Sequence, residues 1–360
     1  GELLNQVSTV FGNLLSAETN DDMQELAKTI MPLLSEHGNN ITLNEKLFAR
    51  IKAVYDQKDQ ANLTPEQNKL LEKVYNSFVR SGANLEGEAK EQYRALSKEL
   101  SLLTLQFGEN NLKETNDYKL VLTDPAQLAG LPQSAIDAAA ETAKEKGVEG
   151  WVFTLQAPSY SPFMTYASNR DLRCKLYMAY NTKCTHDNET NNLEIVKKLV
   201  NTRLAIAQLL GYSSFAEYNL RERMAENSGN VYKLLDQLLD AYTPTAKQEY
   251  AEVEALARQL EGSDFTVMPW DWSYYSHKLK DQKFQIDDEM LRPYFELSKV
   301  KEGVLVWLPA CMALLSRKTA IFRYITRMWM HMRYLTKTVN SCPYSIQTSI
   351  PERVNVQVHG

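Results

Sequence analysis

The chain has 360 residues, of which 44% are apolar and 24% charged, with only 14 Gly and 12 Pro. That balance excludes a disordered tail and a membrane protein, leaves room for two or three domains, and favours long helices over a loop-rich sandwich. Forty basic against 45 acidic residues leave a net charge of −5, which excludes a globally basic nucleic-acid binder. Four cysteines without C-x-x-C spacing argue against a zinc ribbon or a disulfide scaffold.

Taken in order, the body reads as helix after helix. Leu43, Leu47, Ile51 and Tyr55 recur at helical spacing, as do Leu70, Val74 and Phe78. Tyr93, Leu96, Leu100, Leu103 and Phe107 make one apolar stripe on a helix of at least four turns. Thr42 with Glu45 reads as a capping box. Thr64-Pro65-Glu66-Gln67 is a second helix start, with proline at the first helical position. Tyr118–Leu122 and Trp151–Leu155 are β-branched and aromatic, and read as a small strand pair. Between them Pro132–Lys146 is a predicted helix closed by Gly147. Asn169 caps the helix that begins at Arg170, and long helices follow over Leu193–Leu210 and Val231–Leu260. No apolar run reaches the ~18 residues that a membrane span needs.

Chemistry-bearing motifs are few. None of the five histidines (His37, His186, His277, His331, His359) opens an H-E-x-x-H. Cys184, His186, Asp187 and Glu189 group possible metal ligands, but one short loop rarely closes a tetrahedral site, so a solvated loop is the simpler reading. Met268–Tyr275 packs four aromatics into six residues after a proline. Such residues suit the wall of a cleft that holds peptide or sugar. The simpler reading from composition is a buried aromatic joint between helices, in which Asp271 accepts hydrogen bonds from backbone or indole N–H groups.

Several short motifs, in order, resemble one family. They are Pro158-Ser159-Tyr160 with Met164-Thr165-Tyr166-Ala167; Asn169-Arg170-Asp171-Leu172-Arg173 with Tyr180-Asn181-Thr182; Leu210-Gly211-Tyr212, Ala216-Glu217-Tyr218 and Met224-Ala225; and Pro269-Trp270-Asp271-Trp272, Tyr274-Tyr275 and Leu291-Arg292-Pro293-Tyr294-Phe295. Together they resemble the zinc oligopeptidases that include thimet oligopeptidase, neurolysin, oligopeptidase A and bacterial peptidyl-dipeptidase, closest to the last. The likeness runs over roughly residues 1–304.

The resemblance implies a nearly all-helical, two-lobed enzyme whose narrow channel admits short unfolded peptides. Its H-E-x-x-H helix and a downstream Glu hold zinc, and dipeptides leave from the substrate's C-terminus. It places those zinc ligands and the general base downstream of where this chain stops. It therefore implies an all-α fold of long helices with one small strand pair, a partial neurolysin-like zincin lacking the catalytic core. No catalytic or metal residue is assigned. Trp270, Tyr274 and Tyr275 are the substrate-channel candidates. Zinc belongs to the complete family enzyme and none is expected on this chain. The expected partners are short unfolded peptides, with no nucleic acid, no membrane span and a monomeric state; the compartment is the cytoplasm, with the periplasm as alternative.

Charge breaks sharply after Val304. Residues 1–304 carry 33 basic and 44 acidic side chains, while residues 305–360 carry seven basic and one acidic, Glu352. Met328-Trp329-Met330-His331-Met332 has nearly unique codons, and a shifted frame through them reads Val-Asp-Ala followed by Tyr or His, similar to the family's pattern at that place. The expectation is a frameshifted tail over 305–360 with no native domain, poorly ordered or bearing exposed apolar side chains. It would follow an N-terminal helical region over 1–115 and a channel-wall region over 116–304, and the chain would be a catalytically dead fragment of its enzyme. Two alternatives stand beside this one. One is a non-catalytic helical peptide-binding module. The other is a membrane-surface protein that uses the 12-residue apolar run Leu305–Ser316 and the basic residues after it.

Overall fold

A computed structural model describes residues 1–285, 288–312, 314–318, 329–336 and 345–348. Helices dominate: α1 (Glu2–Ala17), α2 (Asp21–Thr42), α3 (Glu45–Asp56), α4 (Pro65–Arg80) and α5 (Gly87–Asp117) come first. Strand β1 (Leu120–Leu122), α6 (Gln133–Glu145) and β2 (Trp151–Phe153) follow. Then come α7 (Ala157–Tyr166), α8 (Arg170–Asn181), α9 (Leu193–Leu209), α10 (Phe215–Leu220), α11 (Ser228–Glu261), α12 (Trp272–Phe284), α13 (Asp288–Leu291) and α14 (Leu297–Met312). The mostly helical architecture and the strand pair stand where the apolar periodicity put them.

The chain divides into two compact units, Gly1–Asp117 with Thr182–Glu249, and Tyr118–Asn181 with Tyr250–Gly360. In the first unit, α5 is the spine. Its predicted stripe is used in two stretches. Tyr93, Leu96 and Leu100 close on Leu43 and Ile206, and Leu100 and Leu103 close on Ile195 and Leu199 of α9. Burying one side of a long helix between two others removes apolar surface from water and orders the amphipathic face.

Helix starts follow local chemistry. Thr64 and Gln67 satisfy each other's backbone N–H groups in a reciprocal box at the head of α4. The start of α3 differs from expectation. Asn44, not Thr42, caps it, its Oδ1 accepting from the Leu47 N–H at 3.0 Å. Thr42 is the last residue of α2, and its hydroxyl donates to the Gly38 carbonyl. Because α2 runs on through Thr42, Asn44 is the residue with the extended backbone that a cap needs.

In the second unit, β1 and β2 pair antiparallel with Leu120 opposite Phe153 and Leu122 opposite Trp151. Their inward side chains join Leu128, Leu155, Phe163, Met164 and Leu176 in one core cluster. Gly147 ends α6 as expected, at φ +64, with its N–H on the Lys144 carbonyl and the Val148 N–H on the Ala143 carbonyl. Gly150 (φ +96) makes the turn into β2, and a Cβ there would stand 2.2 Å from the Leu122 carbonyl oxygen. Three further strands lie within the segment read as a tail: β3 (Leu314–Lys318), β4 (Trp329–Thr336) and β5 (Ser345–Thr348), paired antiparallel in that order. Arg323, Arg327 and the residues after 348 lie outside the described residues. No helix among the described residues is long and apolar enough to cross a membrane.

Candidate functional site

The aromatic segment is built around one buried carboxylate. After Met268 a short 3-10 turn, Pro269–Asp271, leads directly into α12. Asp271 is fully buried, and its oxygens meet two arginines from α8. Arg170 donates through Nε and Nη2 at 3.0 and 2.7 Å to Oδ2, and Arg173 donates through Nη2 at 2.9 Å to Oδ1. The Met268 N–H completes the shell at 3.0 Å. Asn169 makes this possible by capping α8 through the Leu172 N–H, so that Arg170 and Arg173, three residues apart, share a face.

Arg173 is itself buried, with 1% of its surface exposed. Its remaining donors go to the carbonyls of Ala167, Ser168 and Trp270, and its guanidinium lies 4.1 Å from the Tyr274 ring centre. Arg170 reaches the Thr266 carbonyl and lies over Phe265. Burial alone raises the Asp271 carboxyl, but hydrogen bonds from Arg170, Arg173 and the Met268 N–H outweigh it and hold the group below its ordinary value. Burial, then the hydrogen bond that the Tyr275 hydroxyl donates to Glu261 at 2.9 Å, pushes that phenol well up. Asp271 is thus a tie that is charged at neutral pH and whose oxygens are already engaged.

The three channel candidates fall in two places. Trp270 is half-buried at the margin of the cluster around Leu120 and Phe163, edge-on to Tyr177. Tyr274 and Tyr275 are buried with Val253, Ala257 and Val267. The exposed aromatic of the segment is Trp272, which stacks on Tyr250 with ring centres 5.7 Å apart and planes 7° from parallel. An open cleft of about 670 Å³ lies beside the ion cluster, lined by Arg170, Phe265, Thr266, Met268 and the Glu261–Asp264 turn. Asp271 accepts from backbone, as the aromatic-joint reading expects, but its other donors are guanidinium groups rather than indole. Sequence reasoning missed that pairing. The available signal was a pair of arginines at i, i+3 together with an acidic residue inside an apolar, aromatic run.

The loop of possible metal ligands is exposed over residues 185–189, His186, Asp187 and Glu189 included, as the solvated-loop reading expects, but it is pinned at its two ends. Cys184 is buried, with a left-handed φ of +57, and its N–H donates to Glu114 of α5 at 2.7 Å. The Thr190 hydroxyl donates to the same carboxylate at 2.9 Å. Burial, reinforced by Glu114, pushes the Cys184 thiol up to about 12. The loop is therefore held by a carboxylate that the linear sequence places some seventy residues away. Among the described residues no three His, Cys, Asp or Glu side chains are grouped so as to hold a metal ion, so the donor set present does not fit a catalytic zinc.

Comparison with known proteins gives this architecture a context. Residues 163–309 match the family model described as Peptidase family M3. The chain is 33% identical to the dipeptidyl carboxypeptidase of Escherichia coli over 308 residues, covering 85% of this chain and 45% of that protein. It is 33% identical to E. coli oligopeptidase A over 84% of this chain and 45% of the relative. It is 26% identical to saccharolysin of Saccharomyces cerevisiae over 85% of this chain and 42% of the relative. The chain thus spans a little under half the length of the curated relatives it matches. The α8 arginines, the Asp271 turn and the aromatic start of α12 all fall inside the residues that match peptidase family M3.

Proposed function

We propose that this chain is a helical, channel-forming part of a zinc peptidase that hydrolyses short unfolded peptides and releases dipeptides from their C-termini. The observation that carries the reading is the 33% identity to a dipeptidyl carboxypeptidase over 85% of the chain. On this reading residues 1–115 and 116–304 are scaffold and channel wall, and residues 305–360 add no native domain. Trp270 takes part in the wall, with Tyr274 and Tyr275 backing it from below. The 360 residues contain no H-E-x-x-H, so the chain alone binds peptide without turning it over. It acts in the cytoplasm, with the periplasm as the alternative.

The test is a titration of the purified chain with fluorescent peptides of five to ten residues, alongside metal analysis and a cleavage assay with and without chelator. Saturable binding without cleavage is expected. Stoichiometric zinc with chelator-sensitive cleavage would overturn the inactive-chain reading, and failure to saturate would overturn peptide binding.

A further inference from the structure

Arg170 and Arg173 share one carboxylate, so the cluster around Asp271 carries one positive charge that Asp271 does not neutralise. Among the described residues no second carboxylate pairs with either arginine; Asp171, next in the chain, is exposed and makes an ion pair with neither. Arg173 is enclosed and its donors go to protein, so the surplus charge reaches solvent through Arg170, whose side chain is 40% exposed. Nε and Nη2 of Arg170 are taken by Asp271 and the Thr266 carbonyl, while its Nη1 meets no acceptor among the described residues.

Arg170 is one wall of the 670 Å³ cleft, and the turn Glu261–Asp264 is another. The turn is fixed in place: Gly262 takes a φ of +119, its carbonyl accepts from the Phe265 N–H at 3.1 Å, and Arg258 donates to the Phe265 carbonyl at 3.3 Å. It carries two exposed carboxylates. Glu261 accepts from the Tyr275 hydroxyl and Asp264 from the Ser263 hydroxyl, but among the described residues neither pairs with a cation. Arg170 makes no ion pair with them, so the two signs of charge line one cleft with a gap between them. A bare anion drawn to Arg170 is repelled by the carboxylates, and a bare cation drawn to the carboxylates is repelled by Arg170. A molecule with both charges satisfies both walls. We propose that this cleft binds a free dipeptide, with its carboxylate on Nη1 of Arg170 and its ammonium against Glu261 and Asp264. Charge-assisted hydrogen bonds at both ends fix its direction. An extended dipeptide is about 7 Å long, and the cleft has the volume of small-molecule sites. Phe265 and Met268 supply apolar wall for its side chains.

Calorimetric titration of the full chain with Ala-Leu, N-acetyl-Ala-Leu, Ala-Leu amide, leucine and acetate tests this. Ala-Leu should saturate below about 10 mM, and blocking either end should weaken binding at least about 10-fold. Arg170→Gln should weaken Ala-Leu by a similar factor, and so should Glu261→Gln combined with Asp264→Asn. If circular dichroism shows that Arg170→Gln loosens the fold, the carboxylate pair carries the test, because both side chains are exposed and Gln still accepts from Tyr275. Peptides of five to ten residues blocked at both ends lack the two charges and should bind the parent and the cleft variants alike, which separates failure here from failure of the channel reading. The proposal is overturned if Ala-Leu does not saturate, if a blocked form, leucine or acetate binds as tightly as Ala-Leu, or if the cleft variants weaken the blocked long peptides as much as they weaken Ala-Leu.

Discussion

Replacing Asp271 by alanine should destabilise the second unit more than any other single change among its ion pairs. The carboxylate is fully buried, and Arg173 beside it has only 1% of its side chain exposed. Removing the carboxylate leaves a guanidinium charge with no counter-ion in an apolar and aromatic setting, a loss of about 3–5 kcal/mol. Asp271→Asn keeps the volume and one acceptor, and should cost about 2–3 kcal/mol by the same reasoning. Arg170 is different: 40% of its side chain is exposed, so Arg170→Ala should cost only about 1 kcal/mol once solvent screening is counted. Urea unfolding, followed both by far-UV circular dichroism and by tryptophan emission, separates these values. Two probes are needed because two compact units can unfold in separate steps.

The pH dependence has a definite sign. The Asp271 carboxyl is held below its ordinary value when folded, so its stabilisation is complete above the unfolded carboxylate range. It is lost as pH falls through that range towards the depressed folded value. Asp271→Asn should therefore erase stability at pH 7 and converge on the parent at strongly acid pH. A cost below about 1 kcal/mol for Asp271→Ala, or an Arg170→Ala cost equal to it, would refute the claim that the buried Asp271–Arg173 charge pair holds this unit together.

Glu109 should behave in the opposite sense. Burial raises its carboxyl, and one oxygen is buried without a hydrogen-bond partner, so it opposes folding as pH rises through its folded value. Glu109→Gln should flatten the stability profile just above the ordinary carboxylate range and leave the chain equal or slightly more stable at neutrality. Gly150→Ala should cost more than about 2 kcal/mol, because the new Cβ collides with the Leu122 carbonyl at a left-handed backbone position, and should weaken β1–β2 pairing. Gly147→Ala, left-handed but with open space around it, should cost only about 1 kcal/mol, and equal losses at the two sites would contradict the steric argument. Cys184, buried with its thiol pushed up to about 12, should resist a thiol reagent at pH 8 until the loop is unfolded. Rapid native-state labelling at Cys184, mapped by mass spectrometry, would contradict the Glu114-pinned loop.

Much of the secondary structure was legible in the linear chain because its causes are local. The 3-4 stripe from Tyr93 to Phe107, the Thr64–Gln67 box, the Asn169 cap and the Gly147 stop each involve residues within one or two turns of each other. The family could also be read, because short motifs such as Asn169–Arg173 and Pro269–Trp272 recur in order. Partnership across the fold could not be read. Nothing local tells Asp271 that its counter-ions sit about a hundred residues earlier, or tells Cys184 that Glu114 will hold its loop. The same aromatic run that suggests a cleft wall divides, once folded, into a half-buried Trp270, an exposed Trp272 and buried Tyr274 and Tyr275. Helix geometry follows from neighbours along the backbone, whereas burial and charge compensation follow from which distant surfaces meet, and only the packed chain determines that.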